Sequence, residues 1–142
     1  MIAESSNEGE PVGIKKFERV SDLAQRACVP CRGGVPPLSR EHIAPLLEQL
    51  ETGWSIEERA GASGPVLSLK RTFRFKNFAD ALRTADAVGA MAEEQQHHPD
   101  LYVAWGKLGV EVWTHKIGGL TESDFIFAAK CDALLPSTAL SS

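Results

Sequence analysis

Apolar and polar positions change period several times along the chain, and each change marks an element. From Ser39, a good N-cap, the residues Ile43, Leu46, Leu47 and Leu50 fall on one face of a helix that Gly53 ends. Pro45 lies in its opening turns, where proline is tolerated better than at mid-helix. Residues 54–58 read as a short strand and residues 60–65, rich in Gly, Ala, Ser and Pro, as a loop. Residues 66–75 form the clearest strand: Leu67, Leu69, Phe73 and Phe75 share one parity, Ser68, Lys70, Thr72 and Arg74 the other, and Arg71 interrupts the apolar side.

Asn77 caps the next helix, whose apolar stripe is Phe78, Ala81, Leu82, Ala85, Val88 and Ala92. Residues 101–105 and 108–115 then read as two strands joined at Gly106-Lys107, a two-residue turn with glycine first. That register sets Val103 opposite Val110 and Leu101 opposite Val112 as the buried face. Gly118-Gly119 breaks the chain, and Thr121 caps a last helix with Phe125, Ile126, Ala129 and Leu134 on its apolar side. The order α-β-β-α-β-β-α, with hairpins and alternating strands, predicts an α+β domain of two layers. Its four-stranded antiparallel sheet carries helices on one face.

The ends differ from this domain. Residues 1–37 read as a flexible N-terminal arm, polar at first, with one short helix capped by Ser21 and then a turn-rich stretch around Cys28-Val29-Pro30-Cys31. The domain proper is placed at 38–135, and 136–142 is small, polar and frayed.

Composition narrows the function classes. The chain has 142 residues, a net charge of −4 and 24% charged residues, enough for one soluble domain and without the basic footprint of a nucleic-acid binder. It has no apolar run long enough for a membrane span and no signal pattern at its N-terminus, so a cytoplasmic protein is expected. Three cysteines, Cys28, Cys31 and Cys131, do not suggest a disulfide framework. The C-x-x-C pair has no second ligand pair for a closed zinc site.

The chemistry concentrates in Glu93-Glu94-Gln95-Gln96-His97-His98-Pro99-Asp100. Histidine titrates near neutrality, and a proline biases the residue before it away from helix, so His97 and His98 should sit where a helix stops. Glu93, four positions before His97, shares its face if the helix reaches that far and could orient the ring. His115 closes the last strand, where the hairpin could bring it near this helix exit. Asp124 fits a T-x-x-D capping box with Thr121, a purely local role. Trp105 and Trp113 could stack on a flat ligand or only pack, and His42 points away from its helix's leucines. Consecutive histidines have poor metal geometry on a helix, and no H-E-x-x-H is present.

Glu93-x-x-x-His97-His98-Pro99, followed by Trp105, His115 and Asp124 at these spacings, resembles the signature of the pterin-4a-carbinolamine dehydratase family. The Cys28–Leu38 lead-in resembles that of bacterial members, and Gly53-Trp54, Phe73-Arg74-Phe75 and the segment 118–125 match as well. The resemblance covers about residues 23–134 and implies a four-stranded antiparallel sheet with helices on one face, in a dimer or tetramer. It implies a hydro-lyase that dehydrates a 4a-hydroxytetrahydropterin to the quinonoid dihydropterin, recycling the pterin of aromatic amino-acid hydroxylases, with no metal or organic cofactor. By the same resemblance His97 and His115 form the acid–base pair and His98 binds and orients the pterin. Glu93 holds His97, and Asp124 fixes His115 or only caps its helix. Trp54, Trp105 and Pro99 become walls of the pterin site. Tyrosine is the common residue at position 105, so a hydroxyl role there would be absent. The alternative is a non-catalytic dimerisation or regulatory protein on the same scaffold; neither reading invokes nucleic acid or a membrane.

Overall fold

The computed structural model describes residues 22–28, 35–62 and 64–134. Its elements are α1 (Arg40–Leu47), β1 (Ser55–Gly61), β2 (Gly64–Arg74), α2 (Phe78–Gln95), β3 (Asp100–Ala104), β4 (Lys107–Val112) and α3 (Glu122–Leu134). The strands form one antiparallel sheet in the order β1-β2-β4-β3. This is the expected α+β arrangement. Among the described residues, no helix is long and apolar enough to cross a membrane.

Alternation dictates the two layers. Leu69 and Phe73 of β2 stand opposite Val112 and Leu108 of β4, and with Val110 they are fully or almost fully buried under the helices. The opposite parity faces away: Lys70, Thr72 and Arg74 of β2, Lys107, Gly109 and Glu111 of β4, Asp100 and Tyr102 of β3. Helix α3 is buried on nearly every side, from Ser123 to Ala129 and again at Cys131 and Asp132, so it is the central helix of the core.

The sequence pattern misjudged three local features. The turn of the second hairpin is Trp105-Gly106, not Gly106-Lys107: Val103 pairs with Leu108 and Leu101 with Val110. The reason is backbone geometry, since Gly106 takes φ +76°, and only the second turn position demands that sign here. Leu101 stays partly exposed because β3 is the sheet edge. In α2 the buried stripe is Ala81, Ala85, Val88 and Ala92, with Phe78 and Leu82 left exposed. Finally, β1 and β2 run on to Gly61 and Gly64, so the loop between them is tighter than composition suggested.

Part of the N-terminal arm is docked on the domain. Leu23 is buried, Arg26 pairs with Glu122 at 2.7 Å, and the Lys130 ammonium donates to the Ala24 carbonyl at 2.7 Å. The Cys28 N–H donates to Gln95 Oε1 at 3.1 Å, and its thiol lies 3.6 Å from the Ser123 carbonyl. Burial pushes the Cys28 thiol up to about 11, and Cys131 is raised well above its ordinary value for the same reason. Both are thiols at neutral pH, with the inert character of structural cysteines; Cys31 lies outside the described residues.

Candidate functional site

Helix α2 stops earlier than Pro99 alone requires. Gln96 takes the left-handed conformation (φ 55°, ψ 40°), and the N–H groups of Gln96 and His97 close on the carbonyls of Glu93 and Ala92. This is a Schellman ending, which satisfies the last carbonyls and throws His97 and His98 off the helix axis. The two rings therefore do not share the helix face with Glu93 in the way a continuous helix would impose.

Their partners are accordingly exchanged relative to expectation. His97 Nε2 lies 2.6 Å from Asp124 Oδ1, and it is His98 whose Nε2 meets Glu93 Oε2, at 2.7 Å. The Asp124 carboxyl is completely buried and accepts two further hydrogen bonds at Oδ2, from the Thr114 hydroxyl and the Thr121 N–H, each at 2.9 Å. Asp124 thus does cap α3 and also grips a histidine, but that histidine is His97 rather than His115. As an ionised carboxylate Asp124 can only accept at Oδ1. His97 then carries its proton on Nε2, which leaves Nδ1 as the nitrogen available for chemistry. The His97 side chain is 11% exposed and packs on Phe127, with ring centroids 5.9 Å apart. The His98 side chain is 57% exposed.

His115 arrives from the other side. It lies just beyond β4 in a tight loop closed by Thr114 N–H donating to the Gly119 carbonyl at 2.8 Å. Gly119 is required there because a β-carbon would stand 2.6 Å from Pro37, and the Leu38 N–H donates to the neighbouring Leu120 carbonyl at 2.9 Å. The end of the arm thereby props the loop that carries His115. The exposed His115 ring stacks on Trp113 at 4.4 Å with only 11° between planes, and the Arg59 guanidinium lies 4.3 Å from the same indole.

These pieces border one groove of about 370 Å³, lined by Gln96, His97, His98, Pro99, Trp113 and His115 among others. Three of the four histidines and Pro99 thus converge as the sequence suggested. His42 is elsewhere, bonded to its own N-cap Ser39. Trp54 and Trp105 are not walls of this groove. Trp54 is buried in the core with its N–H on Asp132, and Trp105 is 71% exposed at the β3–β4 turn. Sequence reasoning missed Thr114 as a support of the site; the only available signal was its place beside His115. Among the described residues no group of three or more His, Cys, Asp or Glu side chains could hold a metal ion.

A family model for pterin 4 alpha carbinolamine dehydratase matches residues 36–134. The chain belongs to this family. A protein of Rubrobacter xylanophilus provisionally named a pterin-4-alpha-carbinolamine dehydratase is 50% identical over 115 residues, 81% of this chain and all of that protein. A Methylococcus capsulatus protein with the same provisional name is 46% identical over 112 residues, 79% of this chain and 92% of its own length. Among solved structures, one from Brucella melitensis described as a transcriptional coactivator/pterin dehydratase aligns with a TM-score of 0.57 at 28% identity. It covers 69% of this chain and 97% of its own. The matched span takes in the histidine groove, the Asp124 carboxylate and the loop of His115.

Proposed function

We propose that the chain is a hydro-lyase that removes water from a 4a-hydroxytetrahydropterin to give the quinonoid dihydropterin. What carries this reading is the convergence of His97, His98 and His115 on one groove, with His97 pinned by a fully buried carboxylate. Loss of the 4a-hydroxyl needs a proton delivered to the leaving oxygen and another removed from the neighbouring ring nitrogen. Two imidazoles on opposite sides of the ring meet both needs, each contributing about 10²–10⁴-fold. His97 works through Nδ1, since Asp124 engages Nε2 and supplies a fixed counter-charge when the ring takes up a proton. His115, carried on the Trp113 stack, is its acid–base partner across the groove. His98, held by Glu93 and more exposed, binds and orients the pterin, and Pro99 closes the wall between them.

The substrate already carries a hydroxyl at carbon 4a, the state in which a pterin leaves an aromatic amino-acid hydroxylase, so such a hydroxylase is its natural supplier, and the product is the form that a reductase returns to the tetrahydro state. The acid–base step uses only the chain's own side chains. Homo-oligomerisation belongs to the same proposal, and the exposed apolar Phe78, Leu82 and Leu101 are surface that a second copy would cover.

The test is a stopped-flow dehydration assay on freshly generated 4a-hydroxytetrahydropterin. Wild-type protein should outpace buffer clearly, and His97→Ala and His115→Ala should each lose about 10²–10⁴-fold in kcat while remaining folded. Folded wild-type protein no faster than buffer would instead favour the non-catalytic scaffold.

A further inference from the structure

The histidine groove does not end at Asp100. That residue also lines a second groove of about 380 Å³ on the helix-free face of the sheet, so the two grooves adjoin there. The floor of the second groove is three cross-strand rows fixed by register. The row nearest the histidines is Lys70, Glu111 and Asp100. The middle row is Thr72, Gly109 and Tyr102, and the far row is Arg74, Lys107 and Ala104.

Charge is graded along these rows. The near row holds both acids, and Glu111 is already engaged by Arg59 at 2.9 Å and by the Ser68 hydroxyl at 2.5 Å. In the far row two cations, Arg74 and Lys107, stand directly opposite each other on neighbouring strands. Like charges at opposed positions destabilise a sheet. None of the ion pairs among the described residues takes up Arg74, Lys107 or Lys70. Between the rows Gly109 leaves backbone as the floor, with the side chain of Tyr102, 65% exposed, beside it. A groove in which Arg74 and Lys107 stand outside every ion pair among the described residues, and Tyr102 packs over the Gly109 backbone, suits an anionic ligand.

We propose that this second groove is a subsite for an anionic extension of the pterin, a side chain ending in phosphate or carboxylate. The inference rests on the dehydratase reading, because it takes the ring to be bound among the histidines. Four residues of strand separate the Asp100 row from the Ala104 row, roughly 13 Å. The long side chains of Lys107 and Arg74 shorten that span. An anion placed there relieves the repulsion between the two cations, whereas Asp100, in no ion pair among the described residues, disfavours it beside the reacting ring.

The experiment compares a pterin bearing a neutral hydroxyalkyl side chain with its phosphate monoester and with a carboxylate-terminated analogue. Each is followed as substrate by stopped flow and as fully oxidised pterin by equilibrium binding. Wild-type protein should favour the anionic forms by about tenfold at low salt, through KM rather than kcat, with the advantage shrinking as salt is added. The double substitution Arg74→Gln/Lys107→Gln should abolish that preference and leave the neutral pterin within about twofold. A preference for both anions assigns a general anion subsite, and one for the ester alone assigns a phosphate subsite. Equal affinity of wild-type protein for neutral and anionic pterins, or a preference that survives the double substitution, overturns the proposal. Should dehydration be absent for every substrate, the dehydratase reading fails, while the binding arm still decides the subsite.

Discussion

Helix α3 carries two buried aspartates, Asp124 at its start and Asp132 near its end, and they have different surroundings. Asp132 is enclosed by fixed structural donors. Trp54 Nε1 lies 3.0 Å from both of its oxygens, Arg71 donates at 2.8 Å, and the Glu51 N–H donates at 3.2 Å. Asp124 has structural donors on one oxygen only; on the other it holds a histidine that borders an open groove. Both carboxylates fasten the same helix. Only Asp124 is coupled to a group that a ligand can reach, and that separates a site from a rivet.

The electrostatics of the two ends make the contrast measurable. Burial pushes the Asp132 carboxyl up to about 6, against the opposing pull of Trp54 and Arg71. Arg71 is confined in turn, stacked over Phe73 at 4.5 Å with its Nε buried and lacking a partner among the described residues. This end of the helix therefore stores an electrostatic cost at neutral pH that the packing around it must offset.

Three substitutions sharpen the comparison. The largest effect is expected at the functional end. Asp124→Asn keeps an oxygen for the helix cap but turns an amide donor toward His97 Nε2, forcing the ring's proton onto Nδ1. Dehydration kcat should fall about 10²–10³-fold with the melting temperature changed by only a few degrees. Equal activity in this variant would remove His97 Nδ1 from the mechanism.

At the other end, Arg71→Met leaves a buried carboxylate without its cation. Urea unfolding should show a loss of about 3 kcal/mol at pH 8 and clearly less at pH 5, where Asp132 takes up a proton. Activity per folded molecule should be retained. An equal loss at both pH values would show that the pair acts through packing alone.

An effect no larger than this is expected on the wild-type stability profile. Asp132 has a folded pKa of about 6 against an ordinary value of 3.8, so the folded state binds more protons than the unfolded state between those limits. Stability must then fall as pH rises through that window, by up to about 3 kcal/mol from this group. Asp132→Asn should flatten this part of the profile, as read from unfolding midpoints between pH 4 and pH 7. A slope unchanged by the substitution would assign it to other carboxylates.

Much of this architecture is written in local pattern. The period-two alternation of Leu67 to Phe75 determined which side of β2 faces the core, because successive side chains on a strand must point to opposite faces. Ser39 and Asn77 cap their helices as expected, each side chain accepting a backbone N–H. The pairing of β3 with β4 was not legible to the residue, since alternation fits several registers and only Gly106's positive φ selects one. Likewise the apolar stripe of α2 did not reveal that Phe78 and Leu82 would remain uncovered.

The site shows the same division. Its histidine, glutamate and aspartate positions stood out in the sequence by residue type and spacing, because proton transfer near neutrality needs few side chains other than histidine. What the chain order could not supply was who holds whom. A left-handed Gln96 decided that His97 leaves the helix, and α3 packing 27 residues away decided that Asp124 receives it. Spacing along a helix constrains partners only while the helix lasts; past its last turn, long-range packing chooses them. The stretch Glu93–Asp100 named the chemical groups, and the tertiary fold gave His97 its buried carboxylate and His98 its exposed one.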